Sequence, residues 1–99
     1  VFEWLEAATG WGRSPADYME IGSRIQTAKQ AFNVVQGLEP RAFIPNPRTL
    51  GRPPAAAGAN RGRSVDIEAL LRAYWAHFDW DPDTGHPRPE TLKRLGLAD

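Results

Sequence analysis

The 99 residues contain no cysteine. That absence excludes disulfide frameworks, thiolate zinc sites, cysteine-ligated iron-sulfur clusters and thiol nucleophiles within this chain. Charge of either sign is not in excess: 12 Lys and Arg balance 12 Asp and Glu, and the isoelectric point is about 6.9. A nucleic acid or an anionic membrane would therefore have to be held by a local patch rather than by the field of the whole molecule. No apolar run approaches the roughly 18 residues of a membrane span, and the first residues do not open a signal peptide, so a soluble chain is expected. The length sets a ceiling of one domain. Nine proline and nine glycine beside four tryptophan describe a folding sequence with much irregular chain.

Val1, Phe2, Trp4 and Leu5 are spaced for one helix face, without a capping residue ahead of them, as if a helix were entered in its middle. This favours a fragment of a larger protein, with the first helix ended at Gly10 and Gly12 around Trp11. A second helix is expected from the Ser14 N-cap and Pro15 to about Gln36, with Asp17 and Glu20 at its positive end. Its apolar residues Tyr18, Ile21, Ile25, Ala28, Phe32 and Val35 alternate in steps of three and four, predicting a stripe packed along another helix. Gly22 and Ser23 inside it predict close approach of another backbone.

From Leu38 to Ser64 the chain carries Pro40, Pro45, Pro47, Pro53 and Pro54 with three glycines, so neither a regular helix nor a central strand is expected. A connection of that length is usually functional, disordered or laid over another surface. A third helix follows the Asp66 N-cap, with Ile67, Leu70, Leu71, Tyr74, Trp75 and Phe78 on one face. Buried fully, those six side chains would each contribute roughly 1.5 to 3 kcal/mol, provided a partner surface covers them. A turn-rich bridge over Asp79 to Pro89 leads to a short last helix from Pro89 to Gly96. The fold class expected is all-α: a small bundle of about four helices with one long Pro-, Gly- and Arg-rich loop. There are no internal repeats and no strand pair.

The sharpest local motif is Asp79-x-Asp81-x-Asp83 with Glu90 at the twelfth position, the carboxylate spacing of a calcium loop. It fails at the sixth position, where Thr84 stands and the glycine comes one residue late, and Pro82, Pro87 and Pro89 stiffen the path. A Pro-Asp-Thr-Gly turn with Asp bonding its own backbone is the better reading. Arg41, Arg48, Arg52, Arg61 and Arg63 give the loop a local charge of plus five with no acid between Glu39 and Asp66. Phosphates could be gripped there. No nucleic-acid motif frames the arginines, so a solvated or internally paired loop is preferred. His77 and His86 lack metal-pair spacing. Ser14 is a cap rather than a nucleophile, and Trp4, Trp11 and Trp75 read as core rather than as a ligand cage. The residues by themselves point to no catalytic, cofactor-binding or metal-ligating side chain. They support a helical unit, either part of a larger enzyme or a free-standing protein-interaction module.

Several stretches in order resemble one family: Ala8-Thr9-Gly10-Trp11, Ile21-Gly22-Ser23-Arg24-Ile25 leading to Ala31-Phe32-Asn33, Val65-Asp66-Ile67, and Leu70-Leu71-Arg72-Ala73-Tyr74-Trp75. The closing Trp80-Asp81-Pro82-Asp83-Thr84-Gly85-His86-Pro87, running into Glu90-Thr91-Leu92-Lys93-Arg94-Leu95-Gly96-Leu97, completes the pattern. Together they are similar to the C-terminal end of the tungsten-containing aldehyde ferredoxin oxidoreductases. The resemblance implies a cytoplasmic, oxygen-sensitive parent enzyme, several times longer, that oxidises aldehydes to carboxylic acids. It also implies a tungsten or molybdenum bis-pterin cofactor, a 4Fe-4S cluster, and ferredoxin as electron acceptor, with the ligands upstream of the matched segment. This chain would then be non-catalytic support, partnered by the remaining domains, with no nucleic acid and no membrane. Alone, it should self-associate through uncovered apolar faces. The chain departs from the family pattern in the loop from Glu39 to Ser64, which is richer in Pro, Ala and Arg, and at Asp79, where the family usually has glycine.

Overall fold

The computed structural model describes residues 1–98. They form four helices in chain order: α1 (Phe2–Thr9), α2 (Pro15–Val35), α3 (Ile67–His77) and α4 (Pro89–Arg94). A single 3₁₀ turn at Pro40–Ala42 opens the long connection. Among the described residues there is no strand, only isolated bridges between Ala55 and Arg61 and between Trp80 and Pro87. The fold is all-α, as the periodicity predicts.

Local chemistry explains the helix starts. Ser14 Oγ accepts from the Asp17 N–H at 3.2 Å while Asp17 Oδ2 accepts from the Ser14 N–H at 2.8 Å, a reciprocal cap ahead of Pro15. Asp66 Oδ1 accepts from the Ala69 N–H at 3.1 Å and starts α3. Arg88 is the N-cap of α4, but its side chain caps nothing.

Three helices stop in the same way. A backbone N–H reaches back five residues to a carbonyl, from Leu38 to Asn33 (3.0 Å), Trp80 to Trp75 (2.9 Å) and Leu97 to Leu92 (2.8 Å). The residue just before each of those donors is in the left-handed conformation: Gly37 (φ 85°), Asp79 (φ 60°) and Gly96 (φ 68°). Asp79 thus occupies a position that glycine fills in the other two. Its conformation is stabilised by Thr91, whose hydroxyl donates to the Asp79 carbonyl at 2.6 Å and lies 3.2 Å from Asp79 Oδ2.

The helices lie loosely together and meet largely through the segment between α3 and α4. The buried apolar residues are Tyr18, Leu50, Trp75, Trp80 and Leu95, joined by Thr27 and Thr91, neither of which exposes any surface. Trp80 stacks on Phe78 at 5.0 Å between centroids and meets Tyr74 edge-on at 6.0 Å. Its indole N–H donates to Thr27 Oγ1 on α2 at 3.0 Å. Gln30, one turn further on, donates from Nε2 to the Gly85 carbonyl at 2.9 Å. Gly85 (φ 75°) admits no side chain here, because a Cβ would lie 2.6 Å from Trp75 Cε2 and 2.8 Å from Pro40 Cβ.

Four expectations are corrected. The α2 stripe does not pack along another helix: Ile25, Phe32 and Val35 are exposed, and the face turned inward carries Thr27 and Gln30. On α3 only Trp75 of the six aromatic and aliphatic residues is buried, while Leu70 and Tyr74 stay exposed, because too little of the chain reaches that side to cover them. Gly22 has open space beside it, so no backbone approaches α2 there among the described residues. Trp4 (77% exposed) and Trp11 (60%) do not join the core, which instead takes Trp80.

Candidate functional site

At the α1–α2 junction a carboxylate organises the chain. Glu6 accepts the Tyr18 hydroxyl and, at 2.9 Å each, the N–H groups of Gly12 and Arg13. The Tyr18 hydroxyl first, then the Arg13 and Gly12 amides, hold Glu6 below its ordinary carboxylate value, and burial together with Glu6 pushes Tyr18 up. Tyr18 is also stacked between Phe2 (6.0 Å) and Trp11 (6.4 Å). Both Glu6 carboxylate oxygens and the Tyr18 hydroxyl are engaged in joining α1, the turn after it and α2, so their role is structural.

The acidic turn is structural too. Asp81 Oδ1 accepts the N–H of Asp83 at 2.8 Å and of Thr84 at 3.2 Å, and these bonds keep Asp81 below its ordinary value. Asp83 pairs with Arg72 at 2.6 Å, Asp79 faces Thr91, and Glu90 stays exposed on α4, so the calcium-spaced carboxylates point to different partners. His86 Nε2 lies 3.1 Å from Glu39 Oε2, whereas His77 packs edge-on against Phe78 at 5.0 Å. The two histidines are held apart by different neighbours. No group of three His, Cys, Asp or Glu able to hold a metal occurs among the described residues.

Four of the five loop arginines separate into two groups, and Arg61 belongs to neither. Arg41 pairs with Glu68 at 3.1 Å, and Arg52 donates to the Val65 carbonyl at 3.3 Å. Arg48 and Arg63 instead line a cavity of about 610 Å³ between the two arms of the loop, together with Thr49, Asn60, Ser64 and the buried Leu50. A smaller cleft of about 240 Å³ is lined by Arg13 ahead of α2, by Asp17, Glu20, Ile21 and Arg24 on α2, and by Leu95 just after α4.

Many large apolar side chains are exposed: Ile25 (54%), Phe32 (65%) and Val35 (81%) on α2, Trp4 on α1 with Val1 ahead of it, and Phe43 and Ile44 on the loop. Sequence reasoning identified Ile25, Phe32, Val35 and Trp4 by spacing and assigned them to packed faces. The signal it missed is that Thr27, Gln30 and Val34 recur at the same helical interval, and two of them find buried or half-buried polar partners.

No helix is long and apolar enough to cross a membrane. Residues 1–97 match the family described as aldehyde ferredoxin oxidoreductase, domains 2 & 3. The chain is 37% identical over 97 residues to a tungsten-containing aldehyde ferredoxin oxidoreductase of Pyrococcus abyssi, covering 98% of this chain and 16% of that protein. It is 35% identical over 95 residues to the protein of the same description from Pyrococcus furiosus, covering 96% and 16%. The Thermococcus kodakarensis protein of that description is 35% identical over 97 residues, again across 16% of its length. No solved structure matches. The chain therefore spans about one-sixth of the curated relatives it matches, and nearly every residue of it falls within the match. On that coverage, the chain belongs to the aldehyde ferredoxin oxidoreductase family.

Proposed function

We propose that this chain is the C-terminal helical support of a tungsten-dependent enzyme that oxidises aldehydes to carboxylic acids and passes the electrons to ferredoxin in the cytoplasm. The observation that carries the reading is the match of residues 1–97 to the family, across a segment that is only 16% of each relative. The uncovered apolar side chains of α1 and α2 support it. A helix that keeps Phe32, Ile25 and Val35 in water forgoes roughly 1.5 to 3 kcal/mol for each side chain that a neighbouring domain would bury. Their natural cover is the remainder of the parent enzyme.

The donors present bear on the iron-sulfur cluster first. The chain offers no thiolate to an iron-sulfur cluster and, among its described residues, no clustered donors to a metal. A bis-pterin tungsten centre and a 4Fe-4S cluster belong, in this reading, to upstream residues, and the chain acts by packing on the domains that hold them. Isolated, it is catalytically inert and associates with itself through the same faces.

The test is expression of the reading frame that contains these residues, anaerobically and with tungstate, followed by an assay of aldehyde-dependent ferredoxin reduction. Activity should be present in the whole product, lost when these 99 residues are deleted, and absent from the 99-residue chain alone. Turnover by the isolated chain would overturn the support role, and a whole product without aldehyde oxidation would overturn the reaction.

A further inference from the structure

We propose that the cavity in the long loop is a binding site for a small organic anion, a carboxylate or phosphate carried on a short apolar body. The site does not depend on the redox reading, because it rests on the loop's own geometry. Its volume, about 610 Å³, lies within the range of small-ligand pockets. Arg48 and Arg63 line it, together with Asn60, Thr49 and Ser64. No carboxylate lines it. The acids that bound this stretch of sequence are engaged elsewhere, Glu39 with His86 and Asp66 with the Ala69 N–H.

The other loop arginines that form bonds are also accounted for, Arg41 by Glu68 and Arg52 by the Val65 carbonyl. Neither Arg48 nor Arg63 has an ion-pair partner among the described residues. Two like charges brought to one cavity without a counter-charge repel each other, and a bound anion relieves that cost through charge-assisted hydrogen bonds. Leu50, Val65 and Pro53 supply the apolar part of the lining, with Leu50 only 4% exposed. An inorganic ion would leave that surface unused, so an anion with an apolar body is the better fit.

The cavity is also built rather than a gap between loose strands of chain. The two arms of the loop are clasped by the Val65 N–H donating to the Leu50 carbonyl at 2.8 Å. Gly51 lies directly against the second arm: a Cβ there would be 3.1 Å from Ser64 Cα and closer still to the Arg63 carbonyl. The clasp fixes the distance between the residues that carry the two guanidinium groups.

The test is an NMR titration of the full 99-residue chain with benzoate, phenyl phosphate, inorganic phosphate and benzyl alcohol. Benzoate or phenyl phosphate should shift the amides of Gly51, Arg63 and Ser64 saturably, and the stronger of the two identifies the headgroup. In Arg48→Ala/Arg63→Ala the affinity should fall roughly tenfold or more, the loss expected for charge-assisted hydrogen bonds. An unmoved Trp80 indole resonance would show that the rest of the fold survives the double substitution. Arg48→Lys/Arg63→Lys, which keeps the charge but not the fork, should recover part of the binding. No saturable shift with either organic anion overturns the proposal, as does an equal response to benzyl alcohol or an undiminished response in the alanine variant. Inorganic phosphate binding as tightly as phenyl phosphate overturns the apolar half. A single-stranded oligonucleotide that binds these residues when no small anion does would make the surface a nucleic-acid contact instead.

Discussion

The indole N–H of Trp80 donates to the hydroxyl of Thr27 at 3.0 Å, across 53 residues of sequence, with both side chains sealed from solvent. This bond ties α2 to the turn that joins α3 and α4. Thr27→Val keeps the shape and removes the acceptor, leaving a buried N–H without a partner. A loss of about 1 to 3 kcal/mol is expected, and Thr27→Ser should recover most of it. Urea denaturation followed by tryptophan fluorescence measures both.

Gly85→Ala should be among the most damaging single substitutions. The new methyl meets Trp75 and Pro40 below 3.0 Å, in a left-handed backbone that disfavours any Cβ. Overpacking of this kind costs about 1 to 3 kcal/mol, to which the backbone adds about 1 to 2. The prediction fails if the urea midpoint of the variant equals that of the parent chain.

Asp79 is a different case, because it is exposed and its left-handed backbone already carries a Cβ, with the Thr91 hydroxyl bonded to its carbonyl. Asp79→Gly should lie within about 1 kcal/mol of the parent, since relief of the backbone offsets the lost Oδ2 contact. Asp79→Val should lose about 1 to 2 kcal/mol or more, as a β-branched residue is forced into the same conformation. Thermal unfolding of the two variants side by side makes the comparison.

Acid should weaken the fold. Glu6, Asp17 and Asp81 all titrate below their ordinary values in the folded chain, each through hydrogen bonds to its carboxylate. The unfolded chain therefore takes up protons first as pH falls. The contribution of these groups is complete above the ordinary carboxylate range, near pH 4, and is lost as pH drops through their lowered folded-state values. Plotting the urea midpoint against pH should show this decline, and Glu6→Gln/Asp81→Asn should flatten it.

The uncovered side of α2 should drive association of the isolated chain. Sedimentation velocity at high concentration is expected to show dimers or larger species, and Phe32→Lys/Val35→Lys should return the chain to monomer. A strictly monomeric parent profile would contradict this.

The caps, stops and turn chemistry of this protein were legible because they depend on neighbours in sequence: Ser14 with Asp17, Asp66 with Ala69, Asp81 with Thr84. The family was legible too, since its pattern lies in short ordered stretches. What misled was the direction of the α2 stripe. Spacing shows which residues share a face of a helix, but which face turns toward its own chain depends on the partners available. In α2 the inward face is chosen by Trp80 and Gly85, residues that meet Thr27 and Gln30 only after the fold has closed. The loop cavity was illegible for a related reason. The arginines were visible as a charge run, whereas the separation of Arg48 and Arg63 from the paired Arg41 required the two arms to be clasped.

The described chain measures 52 × 34 × 19 Å, with a radius of gyration of 17.7 Å where about 13 Å is usual for a compact domain of this length. Its thickness is less than two helix diameters of about 10 to 12 Å each. The core of so thin a chain is shallow: Thr27, Trp75, Trp80 and Thr91 are buried, yet lie close to both broad sides. In the proposed parent enzyme, a substitution on one broad side therefore lies within about 19 Å of the opposite one. If that enzyme is the parent proposed above, stability of the isolated chain and activity of the parent change in opposite directions for such a variant. Replacing Phe32 by lysine is the plain instance: it relieves an exposed face in solution and places a charge in a seam when the chain is docked.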